Sequence, residues 1–189
     1  MGFLDSLLGR SKPAKPNLDQ LFALPGAALT LQTAAGFAPT GAGSVCYKAA
    51  EGGGFAQLEQ DVQALLDMDE GPKVEQSVDS YGFTWLLVRH DPSDVAGLVT
   101  DLHAVNSTLE NAGFGPSLLC SLVSFRDAGG RSLALVYLYK NGTFYPFAPL
   151  DGQRRDSALE LQVKALLAGD LRIEPDLSRW FPVWGAPGL

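Results

Sequence analysis

Leu133–Pro149 reads LALVYLYKNGTFYPFAP, two apolar and aromatic runs on either side of Asn141-Gly142. Asn-Gly favours positive φ at both centre positions of a two-residue type I′ turn, so the stretch predicts a hairpin with Lys140 opposite Thr143. In that register Tyr139 faces Phe144, Leu138 faces Tyr145, Tyr137 faces Pro146 and Val136 faces Phe147. Side chains alternate along a strand. Leu135, Tyr137, Tyr139, Phe144 and Pro146 therefore share one face, and Val136, Leu138, Tyr145 and Phe147 share the other. A sheet apolar on both faces is normally covered on both. Pro146 has no N–H to give to a ladder, which places the last strand at a sheet edge or ends it there.

Working outward, Leu118–Phe125 alternates like a strand, and Arg126-Asp127-Ala128-Gly129-Gly130 reads as a loop into the hairpin, completing a three-stranded antiparallel meander. Asp91-Pro92 predicts an aspartate N-cap and a proline at the first helical position. The stripe Val95, Leu98, Val99, Leu102, Val105, Leu109 follows, with Gly113 as the stop. Asn106 falls within that stripe, as a core amide tying down a loop or strand end. Val74–Val78 and Phe83–Arg89 read as two strands joined near Asp79–Gly82. Gly52–Gly54 open a helix with Phe55, Leu58, Val62, Leu65 and Leu66 on one face, stopped by Gly71-Pro72. Ala27–Ala34 and Ser44–Ala50 are strand candidates. Asn17 caps a short helix, Leu18–Leu24, halted at Pro25. Ser157–Glu160 has the form of a capping box for a helix carrying Leu159, Val163, Leu166 and Leu167. Short turns between neighbouring strands imply antiparallel pairing, and the fold class is α+β, a mainly antiparallel sheet with interspersed helices.

The two ends differ from the middle. GFLDSLLGR places Phe3, Leu4, Leu7 and Leu8 at helical spacing, and SKPAKP reads as an extended linker. Residues 1–15 are therefore expected to form an amphipathic arm with a Lys/Pro linker, and residues 16–189 a single domain ending in an aromatic tail. A helix that short is marginal in water and needs a surface: its own domain, a partner or a bilayer interface. The tail, DLSRWFPVWGAPGL, holds Trp180, Phe181 and Trp184 between prolines. It either covers an open sheet face or, exposed, forms the kind of patch that marks a partner site.

The 189 residues are 46% hydrophobic and 19% charged with net charge −7, the balance of an ordinary folded domain. Arg10, Lys12 and Lys15 lie in the arm, so the acidic surplus falls on the rest. That argues against non-specific nucleic-acid binding, which needs a basic surface. No stretch approaches the roughly 20 apolar residues of a membrane span. The N-terminus lacks a secretory h-region and cleavage site, so the expected location is the cytoplasm, with the arm able to reach the inner face of the membrane.

Catalytic signatures are missing. Cys46 and Cys120 are far apart with no C-x-x-C, and Cys120 reads as a reduced core thiol. His90 and His103 make no H-x-x-x-H or H-x-H pair, so no metal or other cofactor is expected. The glycines at 41, 43 and 52–54 lack the G-K-[ST] of a phosphate loop, and no G-x-S-x-G elbow occurs. His90 and Asp91, where a strand ends just before a helix start, mark the one place a ligand pocket or active site would use.

Five blocks carry a family resemblance: MGFLDSLLGRSKP, NLDQLFALP, DLHAVNSTLENAGFG, VYLYKNGTFYPFAP and DLSRWFPVWGAPGL. Together, from Met1 to Leu189, they resemble the actinobacterial PspA-associated protein PspAB. The resemblance implies a cytoplasmic accessory protein of a phage-shock, envelope-stress system whose central protein, PspA, is a helical membrane-binding scaffold. It implies a PspA-type partner and supplies no catalytic residues. The expected function is thus a non-enzymatic accessory module acting by protein contact, with Phe3, Leu4, Leu7, Leu8, Trp180, Phe181 and Trp184 as candidate partner or membrane contacts. The alternative is a small-ligand-binding domain or enzyme with a pocket near His90 and Asp91. The order of helices and strands is also broadly similar to small secretion-chaperone-like domains, an analogy of fold alone.

Overall fold

A computed structural model describes residues 16–68 and 73–189. The expected arm and linker at 1–15 and the Gly71-Pro72 stop lie outside the described residues. Six strands, β1 (Ala38–Tyr47), β2 (Glu75–Val78), β3 (Thr84–Arg89), β4 (Leu118–Arg126), β5 (Ser132–Leu138) and β6 (Thr143–Phe147), form one antiparallel sheet in the order β2-β3-β1-β4-β5-β6. A small ribbon, β7 (Pro149–Leu150) with β8 (Arg154–Arg155), follows β6. Among the described residues there are four α-helices: α1 (Leu24–Ala35), α2 (Gly53–Leu66), α3 (Val95–Leu109) and α4 (Ser157–Leu166). The class is α+β.

All four helices cover the same face of the sheet. Leu24 and Leu31 of α1, Phe55 and Val62 of α2, Leu98, Leu102 and Val105 of α3, and Leu159 and Val163 of α4 pack with Val45, Leu86, Val123, Leu135, Tyr137 and Phe144. The opposite face carries Cys46, Trp85, Cys120, Leu122, Ala134, Val136, Tyr145 and Phe147, and it is covered by Trp180 and Ala186 of the tail. Burial of this much apolar and aromatic surface is the main driving term for the fold.

The hairpin differs from its expected register and keeps its expected faces. Leu138, not Lys140, lies opposite Thr143, followed by Tyr137 with Phe144, Val136 with Tyr145 and Leu135 with Pro146. The connection is four residues long, with Asn141 N and Gly142 N both donating to Leu138 O and only Gly142 needing positive φ. Two competing bonds explain the longer loop. Tyr139 N donates to Leu119 O on β4, and Asn141 Nδ2 donates to Glu174 in the tail. Moving a partner by two positions leaves every side chain on its original face, whereas a one-residue slip would have inverted them. Thus Tyr137 and Phe144 face the helices while Val136, Tyr145 and Phe147 face the tail. β6 is the last strand of the sheet, as Pro146 requires, and Phe144 is met on its outer side by a parallel bridge to Ile173.

Five local expectations are corrected. Ala27–Ala34 is helical, not extended, within α1. Its buried residues Leu24, Ala27, Ala28 and Leu31 fall at positions i, i+3, i+4 and i+7. Pro25 sits at the start of that helix, where its missing N–H costs nothing, rather than stopping the preceding 3-10 turn Leu18–Ala23. The strand expected over Ser44–Ala50 begins earlier and ends at Tyr47. The N-cap of α3 is Asp94, which accepts from Gly97 N at 2.9 Å, while Asp91 closes a tight turn by accepting from Ser93 N. Similarly Asp156 rather than Ser157 caps α4. Glu160 therefore makes no capping box, and its carboxylate accepts from Ala148 N and from Arg155 instead.

Two polar groups fasten helix to sheet. Asn106 is buried and donates to Leu102 O at 2.7 Å and to Ser121 Oγ of β4 at 2.8 Å. His90, at the end of β3, lies between Asp94 (Nδ1, 3.1 Å) and Asp101 of α3 (Nε2, 2.7 Å), and its backbone N–H donates to Gly41 O. Partial burial alone would lower the His90 pKa, but the Asp101 and Asp94 carboxylates outweigh it and raise the value. A histidine whose folded value is raised contributes stability below its unfolded value, and loses that contribution as pH rises through the folded one. The stability gap between the native protein and His90→Gln should therefore be widest below about pH 6 and shrink as pH climbs above about 7. Urea unfolding across that range measures it, and a gap that widens with pH would contradict the pairing.

Candidate functional site

A groove of about 790 Å³ lies on the tail side of the sheet. Its floor is made by Cys46 of β1, Trp85 of β3, Cys120 of β4, Leu138 of β5 and Tyr145 of β6. One wall is the β2–β3 turn, Asp79 to Phe83, and the other is the tail from Arg179 to Trp184. Lys140, Asn141 and Gln153 complete the rim.

The turn wall is built by one carboxylate. Asp79 accepts from Tyr81 N at 2.9 Å, Phe83 N at 3.0 Å and the Trp85 indole N–H at 3.0 Å. Desolvation opposes ionisation there, yet these donors prevail and hold the Asp79 pKa below the usual carboxylate value. The result fixes the Trp85 ring on the floor and projects Tyr81, 82% exposed, beside the groove.

The tail wall is anchored by polar bonds between apolar contacts. Trp180 stacks on Tyr145 with ring centroids 6.0 Å apart, and its indole N–H donates to Glu174 O at 3.0 Å. Tyr145 donates its hydroxyl proton to Phe181 O at 2.7 Å, and Arg155 Nη1 donates to Trp180 O at 2.7 Å. Arg155 is held in turn by Glu160 of α4 at 2.9 Å, with its guanidinium 5.2 Å above the Phe147 ring centroid. Trp184 packs edge-on against Phe147. Glu174 is buried and accepts from Thr143 Oγ1 at 2.7 Å and Asn141 Nδ2 at 2.9 Å, which ties the start of the tail to the hairpin loop. Burial disfavours its charge, but these donors outweigh that and lower its pKa. Burial also pushes the Tyr145 phenol far up, so it remains a hydrogen-bond donor throughout the physiological range.

The tail aromatics thus separate into two kinds. Trp180 is buried, so it belongs to the core rather than to a contact surface, which corrects its expected role. Phe181 is 59% exposed and Trp184 36%, and both line the groove. Phe3, Leu4, Leu7 and Leu8 lie outside the described residues. Tyr81 was missed in the sequence because nothing in a polar turn distinguishes a tyrosine that faces solvent beside a groove.

His90 and Asp91 are not among the residues that line the groove. Neither the groove nor a recess of about 160 Å³ beside Trp180 is lined by them. The ring nitrogens of His90 are both engaged by carboxylates, and the Asp91 carboxylate is occupied by Ser93. Among the described residues, no three His, Cys, Asp or Glu side chains are grouped so as to hold a metal ion, and no described helix is long and apolar enough to cross a membrane.

The family model for PspAB, PspA associated protein B, matches residues 1–188. The chain belongs to that family. No curated protein and no solved structure matches it.

The two kinds of tail aromatic should respond differently to truncation. Trp180→Ala should cost about 3–5 kcal/mol, as expected for removing a large buried aromatic. Phe181→Ala should cost less than about 1 kcal/mol, since its ring is largely in water. Urea denaturation of both variants checks this, and equal losses would contradict the assignment.

Proposed function

We propose that this PspAB-family protein is a non-catalytic accessory component of a PspA-type envelope-stress system, and that it acts by protein–protein contact through the groove face. The observation that carries the reading is an open, mainly apolar groove flanked by the exposed rings of Tyr81, Phe181 and Trp184. Tyrosine, tryptophan and phenylalanine are the side chains enriched in the buried centres of interfaces, and truncating them there removes most binding energy. The walls are prepared for a partner. Asp79 fixes the turn and Arg155 fixes the tail, so little ordering entropy is left to lose on association. The family's description, PspA associated protein B, supports a PspA-type protein as that partner. The acidic balance of the chain supports a protein rather than a nucleic acid in that role.

Crosslinking followed by affinity capture of the full-length protein, from cells at rest and under envelope stress, is the direct test. PspA should be enriched over capture by an unrelated acidic protein. Tyr81→Ala and Phe181→Ala should each weaken that enrichment by roughly tenfold or more, the effect of losing an anchor worth about 1.4 kcal/mol. No enrichment in either condition would overturn the partnership. Enrichment untouched by both substitutions would remove the contact from the groove.

A further inference from the structure

The floor of the groove holds a pair of thiols that the sequence separation conceals. β1 and β4 run antiparallel with Cys46 directly opposite Cys120. Directly opposed residues in an antiparallel ladder point to the same face, with Cα atoms about 4.5–5.5 Å apart, a spacing inside the range a disulfide spans. Both cysteines are free, both belong to the tail-side cluster, and both line the open groove. Both side chains therefore stand on the groove side of the sheet as cross-strand neighbours. No third ligand-type side chain joins them among the described residues, which leaves the pair without the donor set of a tetrahedral metal site. A structural role for two core cysteines would not require them to be cross-strand partners, or to lie where a small solute can reach them.

We propose that Cys46 and Cys120 are a reversible oxidation site, closing to an intrachain disulfide across β1 and β4 when a hydroperoxide enters the groove. Cys120 is the more exposed of the two, at 8% against 3% for Cys46, and it is the thiol the oxidant meets first. Its thiolate attacks the O–O bond, forming an S–O bond and releasing an alcohol or water, and becomes a sulfenic acid. The sulfur of Cys46 then attacks that sulfenic sulfur and forms the S–S bond. The S–O bond breaks, and the departing hydroxide takes up the Cys46 proton to leave as water. Two thiols are thereby oxidised by two electrons, and one hydroperoxide is reduced. The neighbouring Cys120 thiol and burial both push the Cys46 thiol up, so Cys46 serves as the resolving partner rather than the first nucleophile. A small dithiol such as dithiothreitol reverses the reaction by thiol–disulfide exchange. The bond would join two adjacent strands in the middle of the sheet and alter the surface between the two groove walls. This site stands on its own geometry and does not depend on the groove's serving as the partner contact.

The test uses the full-length native protein, exposed to tert-butyl hydroperoxide and then quenched with excess N-ethylmaleimide under denaturing conditions. The expected result is loss of two alkylation sites, a fall of about two mass units from the two hydrogens removed, and a linked peptide pair containing Cys46 and Cys120. Dithiothreitol should restore both alkylation sites, and Cys120→Ser should yield no intrachain link. Full alkylation of both cysteines after prolonged oxidant, a disulfide found only between two chains, or over-oxidation of Cys120 with Cys46 left free would each overturn the proposal.

Discussion

A sheet with no polar face is the constraint on which the rest of this structure depends. Strands β1 and β3–β6 are buried on both sides, so two separate layers must be recruited to exclude water. Four helices supply one. The other is an irregular tail held by Trp180, Tyr145 and the Arg155–Glu160 pair. A tail has less apolar area to offer than a layer of helices, and it leaves the groove between itself and the β2–β3 turn. The groove is thus a direct outcome of how the second face is covered.

Much of this was legible in the sequence because it depends on patterns of period two or 3.6. Leu133–Pro149 gave both greasy faces correctly even though its turn was longer than Asn-Gly implied, since face assignment survives an even shift of register. The α3 stripe, the β2–β3 pair and the β4–β6 meander follow the same logic. Elsewhere short-range signals compete. Ala27–Ala34 carries threonines and alternating small residues that suit a strand, yet Thr30 and Thr33 return their hydroxyls to Gly26 O and Leu29 O within the helix. The caps expected at Asp91 and Ser157 fall three residues and one residue away, at Asp94 and Asp156, and Pro25, expected as a stop, begins a helix, because aspartate, serine and proline suit several neighbouring positions of a helix start.

The candidate site was the less legible part, for a physical reason. Its components come from five strands, three turns and the tail, and no motif spacing links Cys46, Trp85 and Cys120. Only the register of β1 against β3 and β4 makes Cys46 a neighbour of both. The tail aromatics could be flagged as a group, but their division into buried Trp180 and exposed Phe181 depends on which backbone carbonyls Tyr145 and Arg155 reach. His90 has the position of a site residue, at a strand end just before a helix, and in the structure it clamps β3 to α3.

The central claim, that the tail is an integral layer closing the second face, is tested most directly by ending the chain after Pro175 and measuring urea stability together with binding of a hydrophobic fluorescent dye. Loss of Trp180 and Ala186 should uncover Trp85, Val136, Tyr145 and Phe147. The truncated protein should then unfold at a clearly lower urea concentration and bind the dye strongly. A truncated protein with the native midpoint and no added dye binding would contradict the account.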